Sequence, residues 1–411
     1  MITVTVFIIV YLGIMLGRLP GLKVDRSAIA LLGAIALIAS KEISGQQAIG
    51  FIGADTIALL FGLMIISSQF TLSGMYGEVT RRLVSLDVGP RYLLALLVVV
   101  SGAMAALLTN DVVALAMAPL IVQLCVQRRL NPVPYLLGMA CSVNAGSTAT
   151  LIGSPQNILI GQHMELSFGG FMVYTAVPAI LALGVIWLAL SFLYRDKWTL
   201  AEAKQGKPAK AYPYDRPESV KGLIVTAVVV GLFLFTNWPR DLVALAAGGL
   251  LLMNAHYQSR KMLDHVDWQL LILFMGLFIV NGAFQQTHLP QQWVDGLQSH
   301  GIDFQHPATL FLSTVILSDL VSNVPAVMLL LPYAKDAIAG PAMALAAGMA
   351  SNLIIIGSIA NIIVVDAASR YGMTISFREF ARTGIPVTLV SLLIAAGWLW
   401  FVATSGITGL L

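Results

Sequence analysis

Apolar runs of roughly 15 to 25 residues recur from one end of this sequence to the other, close to the roughly 20 residues that a helix needs to cross a hydrocarbon core. The composition agrees, because the 411 residues are 58% hydrophobic and only 10% charged. A chain of this kind needs the lipid bilayer as its solvent. By the length rule we predict about ten to twelve membrane-spanning segments. The first apolar run is interpreted as a retained span, since no basic region precedes it and no small-residue cleavage site follows it.

Several classes of function are disfavoured by the same sequence. The net charge of +3 is too small to indicate nucleic acid as a partner. Cys125 and Cys141 lie in apolar segments, so we interpret them as packing residues and expect neither a disulfide nor a metal site. No metalloprotease, Walker or nucleophile-elbow pattern occurs where it could act, so we predict no enzyme activity and no cofactor. A channel and an intramembrane enzyme stay as the alternatives to a carrier.

One long polar segment, residues 195–221, interrupts the apolar pattern and predicts a linker between two membrane halves, residues 1–194 and 222–411. The halves resemble each other, since four blocks recur in the same order. The matched pairs are Arg26 with Arg240, 59–66 with 273–280, 109–120 with 322–333, and 152–157 with 356–361. Four blocks in one order indicate an internal duplication.

The positions of lysine and arginine predict the orientation of the halves. If residues 109–111 and 322–323 are the tips of re-entrant hairpins, one set of polar connections holds all but three of the 23 Lys and Arg residues. The other set holds Lys41, Arg240 and Lys335. Basic connections stay in the cytoplasm, so we predict a multi-pass protein of the inner membrane with a cytoplasmic linker. Arg26 and Arg240 then fall on opposite faces, as an inverted repeat requires.

Each half also contains two apolar stretches that are broken by small and polar residues at mid-depth. Broken backbone survives in a membrane only where it faces protein or water, and its free N–H and C=O groups are ready ligands. We therefore predict an all-α fold of two inverted repeats, each with a re-entrant hairpin and a discontinuous helix, and a solute site where the four breaks meet. The candidate solute ligands are the polar residues of these breaks: Thr109, Asn110, Asn144, Ser147, Thr148, Ser154, Asn157, Ser322, Asn323, Asn352, Ser358 and Asn361.

Asp111 is the outstanding ionisable residue, because a carboxylate deep in a membrane is costly and is rarely idle. We interpret it as the proton-coupling residue, with a structural role, in which a neighbouring amide or backbone N–H holds the carboxyl group, as the alternative. Asp319 and Asp366 are secondary candidates. Asp55 and Asp267 stand at predicted helix starts, where N-capping is a sufficient explanation.

These motifs resemble the ion transporter superfamily, which includes ArsB-type arsenite efflux permeases, divalent anion/sodium symporters, citrate permeases and certain sodium/proton antiporters. The resemblance covers nearly the whole chain and depends on LLTNDVVALAMAPL, NAGSTATLIGSPQNILI, LSDLVSNVPAVMLLLP and SNLIIIGSIANIIV. It implies a scaffold domain, a moving transport domain and a homodimer. Asn110-Asp111 looks like the tip of ArsB-type permeases, whereas the breaks at Ser154 and Ser358 look like those of the carboxylate and antiporter branches.

The function that we predict is secondary active transport of a small inorganic anion or metalloid, foremost proton-coupled efflux of arsenite or antimonite by alternating access. The resemblance to the ArsB branch also implies a soluble ATPase as a partner. A sodium-coupled symporter of a dicarboxylate or sulfate and a sodium/proton antiporter are the alternatives.

Overall fold

The computed structural model describes residues 1–17, 24–199, 212–287 and 289–405, and within these ranges the chain is helical with no β-strand. The first half contributes α1 (Ile2–Leu16), α2 (Arg26–Ala39), α3 (Gly45–Phe51), α4 (Ala54–Leu72), α5 (Met75–Ser85), α6 (Pro90–Leu108), α7 (Asn110–Gln127), α8 (Pro132–Ser147), α9 (Pro155–His163) and α10 (Phe168–Leu193). Residues 200–211 of the predicted linker lie outside the described residues. Its last part is helical, because the next helix begins at Arg216, where Asp215 caps the helix.

The second half repeats this order of elements. It contributes α11 (Arg216–Phe235), α12 (Arg240–Leu252), α13 (Ser259–Leu263), α14 (Trp268–Gln285), α15 (Leu289–Ser299), α16 (Pro307–Val321), α17 (Asn323–Leu330), α18 (Ala339–Ala350), α19 (Ile359–Ser369) and α20 (Phe377–Thr404), with short 3₁₀ helices at Leu331–Tyr333 and Ile355–Gly357. Each helix of the first half thus has a counterpart ten helices later.

Seven of the described helices are long and apolar enough to cross a membrane, namely α4, α6, α7, α10, α11, α14 and α20. The other apolar helices are shorter, and two pairs of them, α8 with α9 and α18 with α19, are the halves of interrupted segments. Helices α6 and α7 form one hairpin, and α16 and α17 form the other. Among the described residues each half therefore has five crossing segments and one hairpin. An odd number of crossings places the second half upside down relative to the first, which confirms the predicted fold of two inverted repeats.

Contacts between connections agree with the two predicted faces. On the lysine- and arginine-rich face, called the inner face below, the Asp215 N–H donates to Ser73 O at 2.9 Å and the Tyr194 hydroxyl donates to Glu379 at 3.1 Å. On the opposite, outer face, the Thr3 hydroxyl near the start of α1 donates to Glu42 at 2.5 Å. Connections that were predicted to share a face therefore lie together.

The helices pack into two bundles, and each bundle draws on both halves. The first, the scaffold bundle, contains α1, α2, α4, α11, α12 and α14, and the second, the hairpin bundle, contains α6 to α10 and α16 to α20. Close crossings inside the scaffold bundle are repeated by symmetry. A Cβ added at Gly62 would lie 2.5 Å from the main chain of Ala244, and one added at Gly276 would lie 2.6 Å from the main chain of Ala30. Since Gly62 pairs with Gly276 and Ala30 with Ala244 in the sequence repeat, a two-fold axis relates the halves.

Gly62→Ala and Gly276→Ala should each destabilise the protein, because a methyl group at either position overlaps the main chain of a neighbouring helix. We expect a loss of about 1–3 kcal/mol, the usual cost of overpacking, seen as a lower thermal midpoint in detergent. Gly249→Ala in α12 is the matched control, since no atom lies within 4 Å of its added Cβ. An unchanged midpoint for both close-contact variants would contradict these crossings.

Candidate solute-binding site

The two hairpin tips share an unusual backbone conformation. Thr109 has φ 70° and Ser322 has φ 77°, although neither residue is glycine. Such backbone is strained for a side chain with a Cβ and tends to occur at functional sites. In each hairpin the strained residue ends one helix and caps the next, so that α7 and α17 begin at mid-depth.

The two interrupted helices also match each other. Helix α8 ends at Ser147 and α9 begins at Pro155, while α18 ends at Ala350 and α19 begins at Ile359. Ser154 and Ser358, the residues before the second segments, are both extended, with φ −152° and φ −145°. The interruptions predicted from the sequence are therefore confirmed, with Asn157 and Asn361 in the first turn after each break.

The starts of α7, α9, α17 and α19 surround one small cavity of about 50 Å³, called the tip cavity below. Its polar lining comes from Arg26, Asn110, Asp111, Gln156, Ser322, Asn323 and Ser358. Each helix start carries a partial positive charge and N–H groups without helical partners. Four such starts around one cavity make it favourable for an anion or for the oxygen atoms of a neutral oxyacid.

Asn144 joins the breaks of the two halves through its side-chain amide. Its Oδ1 accepts from the amide of Asn110 at 3.3 Å and from the hydroxyl of Ser358 at 3.0 Å. Its Nδ2 donates to Oδ1 of Asn352 at 3.0 Å and to Oδ1 of Asn361 at 3.1 Å. One buried amide thus connects four other predicted site residues from both repeats.

The carbonyl groups that the breaks set free are occupied by asparagine side chains. Asn157 Nδ2 donates to the carbonyls of Ser147 at 3.1 Å and Thr150 at 2.9 Å. Its counterpart Asn361 donates to the carbonyls of Ser351 at 2.7 Å and Ile354 at 3.1 Å. These carbonyl acceptors are therefore satisfied internally, whereas the Oδ1 atoms of Asn110 and Asn157 are buried with no hydrogen-bond partner among the described residues.

The remaining predicted ligands divide into those near the cavity and those turned away. Asn323 donates to the Ser351 hydroxyl at 2.7 Å, and its Oδ1 is buried with no hydrogen-bond partner among the described residues. The Ser154 hydroxyl is also buried with no hydrogen-bond partner among the described residues. Ser147 and Thr148 instead donate to carbonyls of their own helix, at 2.9 Å and 2.7 Å. Their hydroxyls are therefore engaged inside α8, which weakens their assignment as ligands.

Asp111 lies in the first turn of α7, near the main-chain N–H of Ala360 in the first turn of α19, which donates to the Ser358 hydroxyl at 3.2 Å. Its Oδ1 is buried and has no hydrogen-bond partner in the described part of the chain. Asp111 lines the tip cavity and also a second cavity of about 960 Å³ that reaches the inner face, called the inner cavity below. The carboxyl group is thus placed where it can exchange a proton between the tip cavity and the inner cavity.

The other acidic candidates have different surroundings. Asp319 has a buried Oδ1 without a hydrogen-bond partner among the described residues, and this oxygen approaches Gly357 in the second break. Asp366 is exposed and pairs with Arg370 at 2.7 Å. Asp267 caps α14 as predicted, accepting from the Leu270 N–H at 2.9 Å. Asp55 lies inside the first turn of α4, after the N-cap at Gly53, so its predicted capping role is wrong.

Sequence reasoning missed two of the polar residues that line the tip cavity. Gln156 stands in the quoted motif at the start of α9, and its Nε2 is buried without a partner among the described residues. Its place next to Asn157 in the broken motif is a signal that was available. Arg26 was recognised only as a repeat partner of Arg240, and its proximity to the hairpin tips depends on how the bundles meet.

The two faces of the protein differ in how closely the bundles meet. On the outer side α4 packs against α9, and α14 packs against α17. The counterpart pairs on the inner side are α14 with α19 and α4 with α7, and residues of all four helices line the two cavities that lie between them. The two-fold relation between the halves is therefore broken at the bundle interface. The structure is closed to the outer side and open to the inner side.

A helical membrane protein with inverted repeats, a central polar site and access from one side has the architecture of a solute transporter. The chain belongs to the citrate transporter family (CitMHS), whose family description matches residues 11–342.

Relatives cover most of the chain. It is 28% identical to an uncharacterized transporter of Mycobacterium tuberculosis, over 97% of this chain and 98% of the relative. It is 27% identical to the silicon efflux transporter LSI3 of Oryza sativa subsp. japonica, over 90% of this chain and 91% of the relative. It is 32% identical to the inner membrane protein YbiR of Escherichia coli, over 76% of this chain and 80% of the relative. The Alcanivorax borkumensis YdaH transporter shares the fold, with a TM-score of 0.60, 14% identity and 99% of both chains covered.

Proposed function

We propose that the protein exports a small inorganic oxyacid or oxyanion in exchange for protons, with arsenite and antimonite as the first candidates. The observation that carries this proposal is the tip cavity, where four helix starts, amides and hydroxyls surround a space next to one carboxyl group, Asp111. Its volume of about 50 Å³ leaves room for one small hydroxylated solute. The silicon efflux protein among the relatives supports a small oxyacid as the transported class.

The transport cycle that we propose uses the difference between the two sides of the bundle interface, which is packed on the outer side and open on the inner side. In the observed arrangement a solute reaches the tip cavity from the inner side through the inner cavity. If the two repeats exchanged their arrangements, the inner side would close and the outer side would open. The same tip cavity would then face the outer side. Protonation of Asp111 changes the charge beside the starts of α7 and α19, so it changes the relative free energies of the two arrangements.

A second candidate, sodium-coupled uptake of a carboxylate or sulfate, is supported by the family description, which names citrate. The inner cavity, at about 960 Å³, is large enough for an organic anion on its way to the site. Strict dependence on sodium in proteoliposomes, with no effect of a pH gradient, would favour this candidate. A soluble ATPase and a homodimer stay predictions, and export in vesicles without ATP would show that the ATPase is dispensable.

A thermal-stabilisation screen tests the substrate class directly. The purified protein is heated with arsenite, antimonite, silicate, sulfate, succinate, citrate or sodium. A ligand that binds only the folded protein at a hundred times its Kd should add about 2.7 kcal/mol to the stability. We expect the oxyacids to raise the midpoint, and Asn110→Ala to remove that rise. Asn237→Ala, at an exposed position outside the site, is the matched control. A rise with citrate alone, lost in Asn110→Ala, would replace the oxyacid proposal by the carboxylate one.

A further inference from the structure

Arg26 and Arg240 are counterparts in the repeat, yet their side chains have different surroundings. They are the first residues of α2 and α12, respectively. The guanidinium group of Arg240 donates to the main-chain carbonyl of Leu166, in the connection between α9 and α10 on the outer side. Arg26 lines the tip cavity on the inner side, and its guanidinium group forms no hydrogen bond or ion pair with the described residues. Among the described residues, the same residue type at the same repeat position is therefore bonded on the closed side and unbonded on the open side.

The contact of Arg240 joins the two bundles. Helix α12 belongs to the scaffold bundle, whereas Leu166 lies between α9 and α10 of the hairpin bundle. A hydrogen bond from a charged donor is stronger than one between neutral groups, and here it lies on the side where the bundles are packed. Breaking this bond is therefore part of the free energy of opening the outer side.

The sequence repeat supplies a matching acceptor for Arg26. Residues 164–168 read Met-Glu-Leu-Ser-Phe, and residues 373–377 read Met-Thr-Ile-Ser-Phe. Both segments lead into the last helix of a half, so Ile375 is the counterpart of Leu166. Its connection begins at Arg370 and Tyr371, which line the inner cavity. The bundles are separated on this side, so the equivalent contact is not made in the observed state.

We propose that Arg240 and Arg26 act alternately as positioning residues of the transport cycle. In the inward-open state Arg240 holds the outer side closed through the Leu166 carbonyl, and Arg26 is left to attract an anionic or oxygen-rich solute into the tip cavity. In the outward-open state Arg26 holds the inner side closed through the Ile375 carbonyl, and Arg240 takes the solute-facing place. This inference rests on the proposed transport function, because only a transporter needs both states.

Two reporter cysteines can measure the two states without any solute. Ala116→Cys lines the inner cavity, and Leu329→Cys is its repeat counterpart on α17, which packs against α14 on the closed side. Each is placed in a background with Cys125→Ala and Cys141→Ala. Labelling by a membrane-impermeant maleimide is followed from the inner face in inverted vesicles and from the outer face in spheroplasts.

Arg240→Ala should slow labelling of the inner reporter and speed labelling of the outer reporter, so that the ratio of the outer to the inner rate rises roughly ten-fold, the effect of losing one charged hydrogen bond. Arg26→Ala should slow labelling of the outer reporter and leave the inner reporter at or above its original rate. Arg240→Lys keeps a donor and should restore part of the original labelling pattern. If Arg240→Ala fails to fold, Arg240→Lys takes its place in the test and should show a smaller change in the same direction. Arg216→Ala on the inner face and Lys335→Ala on the outer face, both exposed, remove one charge each and should change neither rate.

Changes in the same direction for Arg26→Ala and Arg240→Ala, or no change in either, would overturn the alternating pair. The labelling rates need no substrate and no proton gradient. A failed oxyacid assignment would therefore leave this test intact, and a failed labelling test would leave the assignment of the solute site untouched.

Discussion

Asp111→Asn should reduce proton-driven export to background, a loss of about two orders of magnitude in rate, while the protein still folds. Asparagine keeps the size of the side chain, but it cannot carry a proton between the tip cavity and the inner cavity. The measurement is export from proteoliposomes under an imposed pH gradient. Solute exchange at equal pH should survive, because alternation of the loaded protein does not require net proton movement.

Asp366→Asn is the matched control for this prediction. Asp366 also lies on a helix of the hairpin bundle, but it is exposed and pairs with Arg370 at the surface. Exposed ion pairs contribute little to stability, about 0–1 kcal/mol, so export by this variant should equal that of the original protein. Export by Asp111→Asn at the original rate and with the original pH dependence would refute the role of Asp111. Asp319→Asn would then be the next variant to measure.

Asn144→Ala should abolish transport and lower the thermal midpoint of the protein. The substitution removes the partner of four buried polar side chains, and each buried polar group left without a hydrogen bond costs about 1–3 kcal/mol. The groups concerned belong to Asn110, Ser358, Asn352 and Asn361, so the hairpin tip and both breaks lose their common contact. The midpoint is measured in detergent, and transport is measured in proteoliposomes.

Asn144→Asp separates folding from function at the same position. Aspartate keeps the volume of the side chain and the oxygen that accepts from Asn110 and Ser358. It replaces the Nδ2 donor by a second oxygen, which then faces the Oδ1 atoms of Asn352 and Asn361. We expect loss of transport, and a loss of stability that is smaller than for alanine only at low pH and grows as the buried carboxyl group ionises. Asn237→Ala, in an exposed connection, is the control and should behave as the original protein does. Full transport by Asn144→Ala would show that the amide network is not part of the site.

Much of the fold could be predicted because its determinants are local. The length of the apolar runs, the polar interruptions near Asn144 and Ser351, and the side preference of lysine and arginine each depend on a short stretch of chain in contact with lipid or water. Repetition of the motifs then predicted the inverted halves. The hydrogen bonds of single side chains could not be predicted in this way: Ser147 and Thr148 bond within α8, and Asp55 is not a cap.

The sequence by itself determined that the chain spans a membrane, that it is a duplicated structure, and where its helices are interrupted. Only the tertiary structure decided that Asn144 joins both halves and that the outer side is closed. The physical reason lies in the symmetry of the repeats. Two equivalent halves predict the inward-open and the outward-open arrangement equally well, and the free energy that separates these arrangements comes from contacts between the bundles, such as that of Arg240 with Leu166.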